Sequence, residues 1–215
     1  MKLKDNFSLY PYQRDIIHWM FRIREKGVMG SLGGIIYADM GLGKTITTLE
    51  YIRKSRRIND LDPTLIICSK ILINEWISQI DKFYDVKPRV YIYHREFNDI
   101  SKISMKELLA YDIVITTYHK ISFENKLPKG KLFSDRLVKK KSVIGSSRLM
   151  WCIEDYNLNL DNNNISSKNN LLLKIMWNNI ICDECHTLSN WKTSYFRSVY
   201  SLNTRYIFGL SGTPI

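Results

Sequence analysis

Gly34-Ile35-Ile36-Tyr37-Ala38-Asp39-Met40-Gly41-Leu42-Gly43-Lys44-Thr45 is the stretch on which the fold turns. Its first four residues are a short apolar run of strand character, and helical spacing begins at Thr45 and continues to Lys54. A glycine-rich loop between an expected strand and an expected helix is the context that a phosphate-binding loop requires. Gly41 and Gly43 permit positive φ, so Met40, Gly41, Leu42 and Gly43 can turn their N–H groups inward as an anion nest, and the helix N-terminus adds its dipole. Lys44 would carry positive charge to the β and γ phosphates, and the Thr45 hydroxyl would ligate Mg²⁺. Ala38 stands where the strictest form of the pattern has glycine. Taken alone, the loop indicates nucleotide binding and leaves kinase, GTPase and motor open.

Outward from this loop, five more short apolar runs recur: Thr64–Cys68, Val90–Tyr93, Ile113–Thr116, Ile180–Cys182 and Tyr206–Phe208. Their hydrophobicity is continuous rather than alternating, which indicates strands covered on both faces. Helical spacing over Ile71–Phe83 and Lys102–Ala110 falls between them. The expectation is an α/β, three-layer domain with a mostly parallel central sheet, spanning residues 1–215. Residues from about 124 to 174 break the rhythm with a basic stretch (Lys126, Lys129, Lys131, Arg136, Lys139, Lys140, Lys141) and an Asn-rich one, and read as an insertion. A lysine run is more often a solvated face than a nucleic-acid contact, and that reading is preferred.

Asn179-Ile180-Ile181-Cys182-Asp183-Glu184-Cys185-His186 is an apolar strand that runs into two carboxylates. Ligands of a parallel sheet bind beyond the carboxyl ends of its strands, which places Asp183 beside the phosphate loop. Asp183 would hold Mg²⁺, Glu184 would orient and deprotonate the attacking water, and His186 would couple nucleotide state to neighbouring elements. Cys182 to His186 also spell Cys-x-x-Cys-His, the pattern of haem attachment and of half a zinc site. Neither reading is adopted, because Cys182 lies within the apolar strand and neither Cys68 nor Cys152 sits in a second Cys-x-x-Cys pair.

A formal net charge of +11 makes a polyanion a natural partner. The N-terminus lacks a signal-peptide apolar run, and no stretch reaches the roughly 18 apolar residues of a membrane span, so no membrane partner is expected. An intracellular location is expected, with nucleus and cytoplasm not distinguished. Four scattered cysteines fit a reducing compartment. The abundance of Asn, Ile and Lys matches an AT-rich genome such as that of a large DNA virus.

Six segments in order resemble the first lobe of a superfamily-two helicase, and most closely the Snf-family (SWI/SNF-type) double-stranded DNA translocases. Leu9-Tyr10-Pro11-Tyr12-Gln13-Arg14 resembles the family's adenine-reading segment, which implies ATP as the nucleotide with Gln13 on the adenine edge. Asp39 to Thr45 resembles its phosphate loop, with Ala38-Asp39 in place of the usual Asp-Glu. Leu72-Ile73-Asn74-Glu75-Trp76 resembles the segment that lies along the nucleic-acid backbone. There Ser69 and Lys70 are the implied phosphate contacts, while Trp76 reads as core packing. Ile115-Thr116-Thr117-Tyr118 resembles the next backbone segment, which implies sequence-tolerant contacts through Thr116, Thr117 and Tyr118. Asp183-Glu184-Cys185-His186 matches the family's Asp-Glu-x-His box. Leu210 to Ile215 matches the segment linking hydrolysis to movement, with Ser211, Gly212 and Thr213 as its coupling residues.

The resemblance implies a RecA-like P-loop NTPase fold and an ATP–Mg²⁺-dependent enzyme acting on duplex DNA without sequence preference, with RNA left open because nothing before Ile215 fixes the polymer. It also implies a second RecA-like lobe, in cis or in trans, that carries an arginine finger and is absent from these 215 residues. Weak hydrolysis by this lobe alone is therefore expected. The alternatives are a stand-alone nucleotide- or DNA-binding module that complements a lobe on another chain, or the lobe of an RNA helicase.

Overall fold

The computed structural model describes residues 2–4, 7–26, 33–56, 62–124, 137–140, 150–153 and 171–213. In chain order its strands are β1 (Lys2–Leu3), β2 (Gly33–Tyr37), β3 (Thr64–Cys68), β4 (Tyr84–Val86), β5 (Val90–Ile92), β6 (Ile113–Thr117), β7 (Leu137–Lys140), β8 (Met150–Ile153), β9 (Trp177–Asp183) and β10 (Thr204–Ser211). The helices are α1 (Pro11–Lys26), α2 (Lys44–Arg56), α3 (Leu72–Phe83), α4 (Met105–Leu109), α5 (Tyr118–Glu124), α6 (Leu171–Lys174) and α7 (Ser194–Tyr200), with a 3₁₀ turn at Cys185–Leu188.

All six apolar runs read from the sequence enter one sheet, in the order β2-β10-β9-β3-β6-β5, and every pairing within it is parallel. Successive side chains of a strand point to opposite faces, and the core divides accordingly. Ile66, Ile113, Ile115, Ile181 and Phe208 face α1, α2 and α3, meeting Met20, Leu49, Ile52, Trp76 and Ile80. Leu65, Ile67, Val114, Ile180 and Cys182 face the other way, onto Leu108, Ile121, Leu172 and Val199. Burial on both faces is why these strands carry no polar–apolar alternation.

Two helices differ from the sequence expectation. The helix expected over Lys102–Ala110 is confined to Met105–Leu109, because Ser104 forms a capping box with Glu107 and so fixes the start. Helix α1 was not anticipated, although Pro11 at its first position and the apolar spacing Ile17, Met20, Ile23 are helix signals. Within the expected insertion, β7 and β8 pair antiparallel, and residues 125–136, 141–149 and 154–170, including Lys126, Lys129, Lys131, Arg136 and Lys141, lie outside the described residues. Leu171–Lys174 joins the core instead: Leu172 is buried and its carbonyl accepts the Trp177 indole N–H at 2.9 Å. Among the described residues no helix is long and apolar enough to cross a membrane.

The centre of the sheet carries two adjacent asparagines with opposite fates. Asn179 faces α2, where Tyr51 donates to its Oδ1 at 2.7 Å and its amide nitrogen reaches Ser55 and Thr64. Asn178 points to the opposite face, is fully buried, and neither its nitrogen nor its oxygen has a partner. A buried amide without partners costs free energy that an apolar side chain of similar shape does not. Asn178→Leu is therefore expected to raise unfolding stability by roughly 1–3 kcal/mol in urea titration; an unchanged or lower midpoint would contradict this account.

Candidate nucleotide site

The register of the sheet brings the key loops together. Leu210 pairs with Ile36 on one side and with Asp183 on the other, and the Ala38 N–H donates to the Ser211 carbonyl at 3.2 Å. The chain segments leaving β2, β10 and β9 thus emerge side by side at the carboxyl edge, the usual ligand position of a parallel sheet.

The loop itself has Gly41 at φ 85° and Gly43 at φ 77°, the left-handed region where side chains are strained. At Gly43 space is lacking as well, because a Cβ there would collide with the Gln13 amide nitrogen. Lys44 folds back over the loop, and its Nζ donates to the carbonyl oxygens of Ala38 at 2.6 Å and Asp39 at 3.1 Å. Gly212 lies against it, with a Cβ built there falling 3.6 Å from Lys44 Nζ and from Met40 Cγ. Thr45 opens α2 as its second residue, and Met40 and Leu42 stand exposed at the loop tip.

Gln13, expected on an adenine edge, is buried, and both ends of its amide are engaged within the chain. Its Nε2 donates to the Leu42 carbonyl at 3.2 Å, and its Oε1 accepts the Tyr10 N–H at 3.0 Å. The Tyr12 hydroxyl donates to the same Leu42 carbonyl at 3.0 Å, so Gln13 and Tyr12 brace the phosphate loop from α1. The exposed rings of Tyr10 and Tyr12 stack with centroids 5.8 Å apart. Sequence reasoning passed over this aromatic pair, although two tyrosines flanking Pro11 beside Gln13 were there to be read.

Asp183 ends β9 and is held by three donors. The Trp76 indole N–H reaches Oδ2 at 2.9 Å, the Glu184 backbone N–H reaches Oδ1 at 3.0 Å, and the Tyr118 hydroxyl reaches the backbone carbonyl at 2.7 Å. Burial raises the Asp183 pKa above the ordinary carboxylate value, while the Trp76 and Glu184 bonds and the charge of Lys44 pull the other way. Glu184 has φ 50° and ψ 51°, and is the only non-glycine at positive φ among the described residues. Its carboxylate lies 3.2 Å from His186 Nδ1, and the same nitrogen is 3.5 Å from the Thr213 hydroxyl. Ser211 is fully buried, and its hydroxyl donates to the Thr213 carbonyl at 2.8 Å, closing the turn that carries Gly212 and Thr213. Glu184, His186 and Thr213 therefore form one connected chain. Burial pushes the thiol of Cys68 up to about 12 and that of Cys185 up to about 11, which disfavours the thiolates that zinc or haem chemistry requires.

The other half of the same edge, at the ends of β3, β6 and β5, holds the residues expected on a nucleic-acid backbone. Ser69 and Lys70 are exposed, and Lys70 pairs with Glu96 at 2.5 Å. Thr116 and Thr117 are buried at the end of a strand covered on both faces: the first donates to the Tyr93 carbonyl, and the second caps the Lys120 N–H. Tyr118 is buried on Asp183. The hydroxyls of these three residues are engaged within the chain, and Thr117 and Tyr118 border, together with Ser69, Lys70 and His119, a cavity of about 410 Å³.

Comparison with known proteins bears on these features. The SNF2-related domain family matches residues 12–215. A provisionally named helicase, 172L of Invertebrate iridescent virus 6, is 35% identical over 237 residues, covering 100% of this chain and 37% of the viral protein. The ATP-dependent helicase rhp16 of Schizosaccharomyces pombe is 29% identical over 209 residues, covering 97% of this chain and 20% of its own length. Among solved structures, the Sulfolobus solfataricus SWI2/SNF2 ATPase core in complex with dsDNA superposes with a TM-score of 0.65 at 25% identity, covering 97% of this chain and 32% of that one. The chain thus spans about a third of the lengths of the viral relative and the archaeal core.

Two outcomes follow from the strain and burial at β9. Glycine adopts the Glu184 conformation without steric cost, so Glu184→Gly should stabilise the fold by about 1 kcal/mol in thermal or urea unfolding, net of the lost His186 contact. Destabilisation would show that the Glu184 side chain holds the turn. Asp183 has a folded pKa above its unfolded one, so its contribution to stability is complete at acid pH and is lost as pH rises through the folded value. Asp183→Asn should then raise the neutral-pH melting temperature without Mg²⁺, with the gain disappearing as the pH falls toward the ordinary carboxylate range; a gain independent of pH would contradict the burial argument.

Proposed function

Since the chain belongs to the SNF2-related domain family, we propose that it is the ATP-binding lobe of an ATP-dependent translocase that grips duplex DNA by its backbone without reading sequence. The observation that carries this reading is the meeting of Lys44, Asp183, Glu184 and the His186–Thr213 contact at one edge of the parallel sheet.

In this reading the N–H groups of the Gly41–Gly43 loop cradle the phosphates, and Lys44 exchanges its carbonyl partners for β and γ oxygens. Thr45 and Asp183 offer a hydroxyl and a carboxylate, the hard oxygen donors suited to magnesium, and Asp183 is already oriented by two N–H bonds. Mg²⁺ when bound neutralises charge that develops on the β and γ oxygens. Glu184 orients the attacking water and takes its proton, and His186, touching both Glu184 and Thr213, passes the change at the γ phosphate to the Ser211–Thr213 turn. Ser69 and Lys70 supply phosphate contacts along the edge, helped by the +11 net charge. A second RecA-like lobe with its arginine would complete catalysis, and such an arginine is worth roughly 10³–10⁵ in rate in related phosphoryl transfers.

The test is binding before turnover. Fluorescent ATP should bind in the presence of Mg²⁺, and Lys44→Ala should weaken it roughly ten- to hundredfold, as loss of charge-assisted bonds predicts. DNA duplex should bind with affinity falling steeply with salt, alike for unrelated sequences, while hydrolysis stays slow with DNA present. Brisk DNA-stimulated turnover by this chain would overturn the two-lobe requirement, and tighter binding to an RNA duplex of equal length would move the assignment to an RNA helicase.

A further inference from the structure

Asp183 receives a donor from each of the two chain segments that border the outer half of the sheet edge. Trp76 comes from α3, whose first residue directly follows the exposed Ser69-Lys70-Ile71. Tyr118 opens α5, directly after Thr116-Thr117 at the end of β6. The Trp76 N–H lands on the carboxylate at 2.9 Å and the Tyr118 hydroxyl on the backbone carbonyl at 2.7 Å. Core packing alone explains neither contact, since phenylalanine would fill either site without a polar atom to satisfy.

We propose that Trp76 and Tyr118 are positioning residues which fix Asp183 for magnesium and tie that carboxylate to the edge where the polyanion lies. This rests on the functional reading above. Helix α3 buries Ile73, Trp76, Ile80 and Phe83 along one face, so it shifts as a unit. Its N-terminal end is the Ser69–Ile71 segment, whose Ser69 and Lys70 carbonyls accept the Leu72 and Ile73 N–H groups, and a phosphate that draws Lys70 away from Glu96 acts on the turn that leads to Trp76. Tyr118 borders the cavity that Lys70, Glu96 and His119 also line, as does Thr187 from the 3₁₀ turn just past Asp183. Movement at this edge therefore reaches Asp183 by two short routes, one through its carboxylate and one through its backbone. By reciprocity, bound Mg²⁺–nucleotide alters the grip on the polyanion by the same factor.

The experiment uses Trp76→Phe and Tyr118→Phe, each of which deletes a donor and leaves a ring. Fluorescent ATP binding is measured in EDTA, across a Mg²⁺ titration, and with and without saturating DNA duplex. In both variants the affinity in EDTA should stay within about twofold of wild type. The Mg²⁺ concentration for half-maximal binding should rise by about fivefold, the loss of one buried hydrogen bond. The factor by which DNA changes Mg²⁺–ATP affinity should fall toward one. In an Asp183→Asn background, Trp76→Phe should no longer move the Mg²⁺ curve, because a donor that acts through the carboxylate has nothing left to position. Unmoved Mg²⁺ curves in both folded variants overturn the proposal, as does a Trp76→Phe shift of the same size in the Asp183→Asn background. If Trp76→Phe fails to fold, Tyr118→Phe decides by the first two readouts. A wild-type chain that binds no Mg²⁺–ATP defeats the functional reading itself; wild-type binding with unmoved variants defeats only this inference.

Discussion

The pairing of β9 with β10 on one side and β3 on the other is the contact from which the rest of the arrangement follows. It aligns Asp183 with Leu210, and Cys182 with Ile67, so the acidic strand end sits between two kinds of neighbour. Toward β10 and β2 lie Gly212, Lys44 and the glycine loop; toward β3 and β6 lie Ser69, Lys70 and Tyr118. Because the sheet is covered on both faces, a ligand can reach it only at the carboxyl ends of its strands, and β9, near the middle, has the strand end that borders both halves. A one-residue slip of β9 would turn Ile180 and Cys182 to the wrong face and aim Asp183 away from the loop.

Around this strand end the fold gathers several unusual choices close together. Gly41 and Gly43 sit at positive φ, Glu184 adopts the left-handed region that carboxylates with a Cβ avoid, and Asp183 is ionisable yet mostly removed from water. The glycines adopt their conformation without strain, whereas the Glu184 conformation and the burial of Asp183 cost stability, and each aims a polar group at the same end of the sheet: N–H donors from the glycines, a carboxylate from Glu184, a second from Asp183. Strain gathered at one edge, with well-packed isoleucines and leucines behind it, is the pattern expected where geometry is held for chemistry rather than for stability. The Asn179 network shows the contrast, because there every buried polar atom has a partner and no strain is stored.

The sheet was legible because its strands are buried on both faces and hence uniformly apolar, a signal that survives in a single sequence. The phosphate loop and the Asp-Glu-x-His box were legible because short-range spacing carries their chemistry. What escaped was tertiary. Trp76 reads as packing because an indole in an amphipathic helix usually is, and only the folded chain brings it to Asp183, 107 positions away. Thr116 and Thr117 read as backbone-contacting residues from their motif, and a strand end enclosed on both faces also engages their hydroxyls with Tyr93 and Lys120. Gln13 reads as an adenine contact, and its buried amide also holds the Leu42 carbonyl, a bond no local pattern encodes.

The choice of donors on Asp183 has its own logic. An arginine or lysine in place of Trp76 would hold the carboxylate more strongly, but it would also cancel the charge that a cation needs and lower its attraction for magnesium. Indole, hydroxyl and backbone amide are neutral. They fix the direction of the carboxylate and the position of its backbone while leaving the full negative charge facing Lys44 and the loop. Burial has the complementary effect: it weakens the carboxylate's competition from water, so that a divalent cation regains much of the solvation that Asp183 lost on folding. In the proposed reading, a neutral clamp on a half-buried acid would keep the site preorganised and open to a cation, which a salt bridge at the same position would prevent.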